Sequence, residues 1–162
     1  MGIAGLTAVA EAGMYLYTVP IVGIELSQTG VTAIGALMIL FLIVGSGFFS
    51  SSEIAMFSLP TPRIEPMVEQ GLRGAKAIKS LNKDPHRLLV TILVGNNMVN
   101  ITMSSISTTL VGFYFDAGTA VLVSSFGITS LVLIFGETAP KSYAVDNTEL
   151  HARRVAPVLQ FV

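Results

Sequence analysis

The 162-residue sequence has no cysteine, no tryptophan and two histidines, and only 12% of its residues are charged. Without cysteine there is no disulfide framework, thiol nucleophile or thiolate metal centre. Two imidazoles, His86 and His151, are too few for most zinc chemistry. Soluble domains carry about 25% charged residues, so a charge content this low argues against an ordinary water-soluble enzyme. Basic residues are not in excess either: nine Lys and Arg face ten Asp and Glu. That balance leaves nothing to neutralise phosphates, and it excludes a nucleic-acid binder. The G-x-x-x-x-G-K-[ST] phosphate loop is also missing.

What is present is apolar. Hydrophobic residues make up 52% of the chain, and residues 26–52, 88–115 and 117–136 carry no formal charge. About 20 residues of helix cross a hydrocarbon core, so all three stretches are long enough. The pattern predicts an all-α integral membrane protein with spans at about 31–58, 88–114 and 118–138. Arg63, Arg73, Lys76, Lys79, Lys83 and Arg87 fall between the first two spans, and Lys141, Arg153 and Arg154 follow the third. Every basic residue therefore lies on one side. The positive-inside rule makes that side the cytoplasm, with the N-terminus outside and the C-terminus inside a cell membrane.

Residues 1–30 read as an extracellular or interfacial segment. The uncharged run from Ala12 to Ile24 is short for a span, and a fourth crossing there is the alternative. Residues 60–86 are expected to form a cytoplasmic helical hairpin, with Pro62 in a first turn and Gly71 and Gly74 interrupting. Residues 140–162 are expected to form a juxtamembrane helix on the membrane surface. His86 and His151 are expected to be solvated or interfacial.

Each span also holds polar residues, which are costly in hydrocarbon unless they pair or line a cavity. Ser46, Ser50 and Glu53 share one face of the first span. Serines that bond back to the i−4 carbonyl for close packing are the simpler explanation of the first two. Asn97, Asn100 and Ser104 share a face of the second, where Asn96 turns away; amide oxygens suit a hard cation or an interhelical hydrogen bond. The third span ends in F-G-E-T-A-P-K. Pro140 has no N–H to offer the carbonyl of Gly136, which predicts a helix break beside Glu137, and Lys141 is spaced for an i,i+4 pair with that carboxylate. Hydroxyls, amides, a carbonyl and one carboxylate make an all-oxygen set suited to Mg²⁺, Na⁺ or Ca²⁺.

The segments S-G-F-F-S-S-S-E (Ser46 to Glu53), G-N-N-M-V-N (Gly95 to Asn100) and F-G-E-T-A-P-K (Phe135 to Lys141) resemble, in order and spacing, the signature segments of the CNNM/CorC transmembrane domain. The likeness runs over about residues 31–162. It implies a homodimer of three-span subunits in the lipid bilayer that transports magnesium, as efflux coupled to sodium entry. A magnesium channel and a non-transporting magnesium sensor or scaffold are the alternatives; an enzyme is not expected. The metal site implied is Ser46, Ser50, Asn97, Asn100, Ser104, the Gly136 carbonyl and Glu137, with Mg²⁺ as transported ion and Na⁺ as coupling ion. Family members normally continue into a cytoplasmic CBS-pair regulatory region, which this sequence does not contain.

Overall fold

A computed structural model describes residues 16–19 and 24–162. Where it describes the N-terminal segment, β1 (Leu16–Val19) and β2 (Ile24–Ser27) pair antiparallel, Leu16 opposite Ser27 and Val19 opposite Ile24. The rest of the expected segment 1–30 ahead of the first helix, with most of the run weighed as a fourth crossing, lies outside the described residues. Everything from Gln28 onward is helix and connecting turns.

The first span, α1 (Gln28–Phe57), starts where the Ser27 hydroxyl accepts the Gly30 N–H at 3.2 Å. Its 30 residues reach about 45 Å at 1.5 Å per residue. A 3₁₀ turn (Thr61–Arg63), α2 (Ile64–Glu69) and α3 (Ala75–Leu81) fill the connection to the second span. Gly71 and Gly74 stand between α2 and α3 with φ of 66° and 85°, values that L side chains rarely adopt. Lys79 of α3 reaches Glu65 of α2 at 2.7 Å.

The second span, α4 (Pro85–Val111), opens on an Asp84 cap that accepts the Arg87 N–H at 3.0 Å, with Pro85 in the first turn. The third begins as α5 (Ala117–Leu131), capped by Asp116. It does not break at Pro140, as the sequence reading expects. The chain passes through a π-helical turn, Val132–Thr138, and continues as α6 (Ala139–Asp146), so the helical run is 30 residues, Ala117–Asp146. The reason is geometric. A proline cannot donate to the carbonyl four residues back, and the helix takes up Pro140 by widening the turn before it, where the Ala139 N–H donates to Ile134, five residues back.

The last helix, α7 (Thr148–Leu159), is separated from α6 at Asn147. This corrects the single surface helix expected over 140–162: the first part is the end of the third span. The apolar stripe of α7 (Ala152, Val155, Ala156 and Leu159) is buried in protein, not laid on lipid. It joins Ala55, Met56 and Leu59 at the end of α1, Ile64, Met67 and Ile78 of the hairpin and Ala144 of α6 in one core. The spans are the reverse, with Phe41 and Phe126 about three-quarters exposed, as expected of side chains whose solvent is lipid.

Two substitutions separate these regimes. Ile78→Ala in the hairpin core, where Ile78 is 1% exposed, should cost about 2–5 kcal/mol and lower the thermal unfolding midpoint in detergent. Phe126→Ala on the outer face of α5 should leave that midpoint nearly unchanged.

Candidate functional site

The closest approach of the first and third spans occurs at two glycines. A Cβ on Gly136, in the π turn, would lie 2.9 Å from Ser46 Oγ, and one on Gly47 would lie 3.0 Å from Pro140 Cγ. A Cβ at Gly136 would displace the Ser46 hydroxyl, so the π turn is pressed directly against the serine-rich end of the first span.

Ser46 is fully buried there. Its hydroxyl faces Asn96 Oδ1 at 3.1 Å and Asn100 Oδ1 at 3.1 Å. One hydroxyl carries one proton, so Ser46 donates to one amide at a time, and the second amide meets its oxygen through Oδ1 or, turned over, through its NH2. With both amide oxygens turned inward, three neutral oxygens converge on one point, an arrangement that a hard cation accepts. Ser50, one turn further and 1% exposed, has an oxygen with no hydrogen-bond partner, as does Ser52. The back-bonding explanation fits Ser51, whose hydroxyl donates to the Gly47 carbonyl at 2.6 Å. It does not fit Ser46, Ser50 or Ser52.

Asn100 connects this buried cluster to a cavity of about 230 Å³ lined by Asn100, Ser104, Ser125, Thr129 and Glu137 together with apolar side chains of the third span. The structure thus gathers Ser46, Asn100 and Gly136 in one cluster, and Asn100, Ser104 and Glu137 around one cavity. It does not bring in Asn97, which is exposed and has no side-chain hydrogen bond among the described residues. Asn96, which the sequence reading turned away, takes the place facing Ser46. Asn96 and Asn100 are four residues apart, and that spacing was the available signal. Ser125 and Thr129, also four apart, are a second missed pair.

Lys141 is corrected as well. It pairs with Glu53 of α1 at 3.2 Å instead of with Glu137. The widened turn changes which residues stack, so i,i+4 arithmetic drawn for an α-helix fails across it. Glu137 has no ion pair among the described residues and stays at the cavity wall. Among those residues no three His, Asp or Glu side chains cluster. A cation here would be held by neutral oxygens and at most one carboxylate, which favours a hard ion over a transition metal.

His151 of α7, expected to be solvated or interfacial, is half-buried and hydrogen-bonded to Ser51 Oγ at 2.9 Å. Because the Ser51 proton goes to Gly47, the imidazole Nε2–H is the donor. Burial first, and the Arg154 charge second, hold His151 below its ordinary value.

The fold and this cluster define a three-span integral membrane domain with an oxygen-rich site inside it. The chain belongs to the CNNM family: the cyclin M transmembrane N-terminal domain matches residues 37–162. It is 42% identical over 101 residues to the UPF0053 inner membrane protein YfjD of Escherichia coli, covering 61% of this chain and 23% of that protein. A UPF0053 protein of Haemophilus influenzae is 36% identical over 121 residues, 74% of this chain and 27% of that one. A chloroplastic DUF21 domain-containing protein of Arabidopsis thaliana is 32% identical over 120 residues, 73% of this chain and 18% of that one. The chain therefore spans about a quarter or less of the length of these relatives.

Gly136→Ala should separate the π turn from α1 and lower the unfolding midpoint in detergent by several degrees. A second expectation concerns acid. The folded state holds His151 below the ordinary value of about 6.5, so at falling pH the unfolded chain takes up the proton first. Stability is then full above about pH 6.5 and declines as the pH drops below it. His151→Gln, which keeps an N–H donor and does not titrate, should flatten that decline in unfolding scans run between pH 7.5 and 5.5.

Proposed function

We propose that this domain transports Mg²⁺ across the membrane, as efflux coupled to Na⁺ entry. The observation that carries the reading is the convergence of the Ser46 hydroxyl with the Asn96 and Asn100 amides at 3.1 Å, with the unpartnered hydroxyl of Ser50 one turn away. Mg²⁺ prefers six oxygens at about 2.0–2.1 Å and gives up water reluctantly. At about 30 Å³ per water, a six-water shell needs roughly 180 Å³, so a hydrated ion fits the cavity of about 230 Å³. Ser104, Ser125, Thr129 and Glu137 offer oxygens to those waters. Deeper in, Asn100, Ser46, Asn96, Ser50 and the carbonyl of Gly136 replace part of the shell. Asn97, which the resemblance also implies, stays outside this set because it faces away from Ser46.

Export of a divalent cation against 100 mV, inside negative, costs about 4.6 kcal/mol at roughly 2.3 kcal/mol per charge. The sequence has no phosphate loop, and sodium moving inward down the same field supplies the energy. An oxygen set with one carboxylate accepts Na⁺ as well as Mg²⁺. All nine basic residues lie on the side of the hairpin and α7, which makes that side cytoplasmic by the positive-inside rule, with the N-terminus outside. Three helices enclose little by themselves, so a homodimer forms the working unit. In a longer chain of this family, a CBS-pair region would follow α7 on the cytoplasmic side.

The test is ion flux in liposomes containing the purified protein. Mg²⁺ movement should accelerate when an opposing Na⁺ gradient is imposed, and Ser46→Ala or Asn100→Ala should reduce it by tenfold or more. Ser105→Ala, on the exposed side of α4, should leave it unchanged. Sodium-independent flux would point to a channel; Mg²⁺ binding without flux would leave a sensor and overturn transport.

A further inference from the structure

Behind the ion cluster, on the opposite side of the contact made by Gly47 and Pro140, two cavities run into one another. One, of about 650 Å³, lies between α1 and the third span and is lined only by apolar side chains. The other, of about 440 Å³, has Pro140 on its wall and ends at Ser51, Tyr143 and His151. They share Ile43, Val44 and Phe135, so together they make one groove that begins at Ala36 and ends at Ser51. Fifteen residues of α1 separate those ends, about 22 Å at 1.5 Å per residue. Half of a hydrocarbon core is about 15 Å. The groove is therefore long enough to cross a leaflet and still reach headgroup depth.

Its two ends differ in chemistry. The deep end is apolar, and Val44 at its lip is 71% exposed. The shallow end holds donors with nothing to bind. The Tyr143 hydroxyl has no hydrogen bond, and Arg154, three residues beyond His151 on α7, has no ion pair or hydrogen bond among the described residues. Arg154 lies three residues beyond His151 on the same helix, one turn from the groove's end and outside its wall. Ser51 and His151 satisfy each other, which leaves Tyr143 and Arg154 as the free groups. An apolar channel open to lipid, closed at headgroup level by a hydroxyl and an uncompensated cation, has the polarity of a phospholipid along the membrane normal. A second copy of the chain would have to place an anion opposite Arg154 and fill a lipid-length slot.

We propose that this groove is a binding site for an anionic phospholipid of the leaflet on the hairpin side, with one acyl chain between α1 and the third span and the phosphate at Tyr143 and Arg154. The site is independent of which ion, if any, the Ser46 cluster holds. A seated chain also presses Phe135 and Pro140 from outside, and so braces the π turn against Gly47.

The absence of tryptophan makes the test direct. A single reporter is introduced by Val44→Trp, at the groove lip, and separately by Phe126→Trp on the outer face of α5. Each variant is reconstituted in vesicles in which dibrominated phosphatidylglycerol or dibrominated phosphatidylcholine replaces part of the unbrominated lipid. At Val44→Trp, quenching should correspond to at least a threefold preference for phosphatidylglycerol. At Phe126→Trp the two lipids should quench alike, and Arg154→Gln in the Val44→Trp background should abolish the preference. Equal quenching by the two lipids at Val44→Trp would overturn the site. Weak quenching by both would also overturn it, because it would mean that another protein surface covers the groove.

Discussion

Inside a bilayer a polar group needs a partner in the protein or in a cavity that the protein encloses, and the Ser46 cluster is arranged around that constraint. The Ser46 hydroxyl meets the Asn96 and Asn100 amides at 3.1 Å, and the hydroxyls of Ser50 and Ser52 beside it are buried without a partner, which costs on the order of 1–3 kcal/mol each. The arrangement survives because Gly136 lets the third span press onto Ser46, and Gly47 lets Pro140 press onto α1. The π turn stands where Pro140 withholds its N–H from the Gly136 carbonyl. Seven residues of widened helix, Val132–Thr138, keep the backbone continuous and place Gly136 and Glu137 on the protein interior and the cavity wall.

The parts that hold this contact lie outside the lipid-facing region. The span surfaces are exposed apolar side chains, and the packed core is at the end of α1 where the hairpin, α6 and α7 meet. Lys141 ties α6 to Glu53 of α1, and His151 ties α7 to Ser51. Both links land within one or two turns of Ser50. The hairpin, α6 and α7 are thus joined to the segment of α1 that carries the oxygen cluster.

Much of this was legible in the sequence. Long uncharged runs announced three spans, and the structure keeps all three as long apolar helices. Ser46, Asn100 and Gly136 stood out because polar or helix-weakening residues are costly in such runs. What failed depended on register. Helical arithmetic from Ser104 through Asn100 selected Asn97, whereas the face toward Ser46 runs through Asn100 and Asn96. The Glu137–Lys141 pair assumed 3.6 residues per turn across a stretch that is wound more widely. The tail from Ser142 to Val162 had the charge pattern of a surface helix, but its stripe of Ala152, Val155, Ala156 and Leu159 found a protein partner. A periodic pattern says that a face will be buried and not what will bury it.

The central claim is that the oxygens around Ser46 form a cation site. A structure of the protein determined in Mg²⁺, set beside one determined without it, tests this most directly. The account predicts density about 2.0–2.1 Å from one or more of Ser46 Oγ, Asn96 Oδ1, Asn100 Oδ1 and the Gly136 carbonyl, with the Ser46 hydroxyl turned away from at least one amide oxygen. Unchanged hydrogen bonds from Ser46 and no density between α1, α4 and the π turn, at Mg²⁺ concentrations that saturate flux, would contradict it.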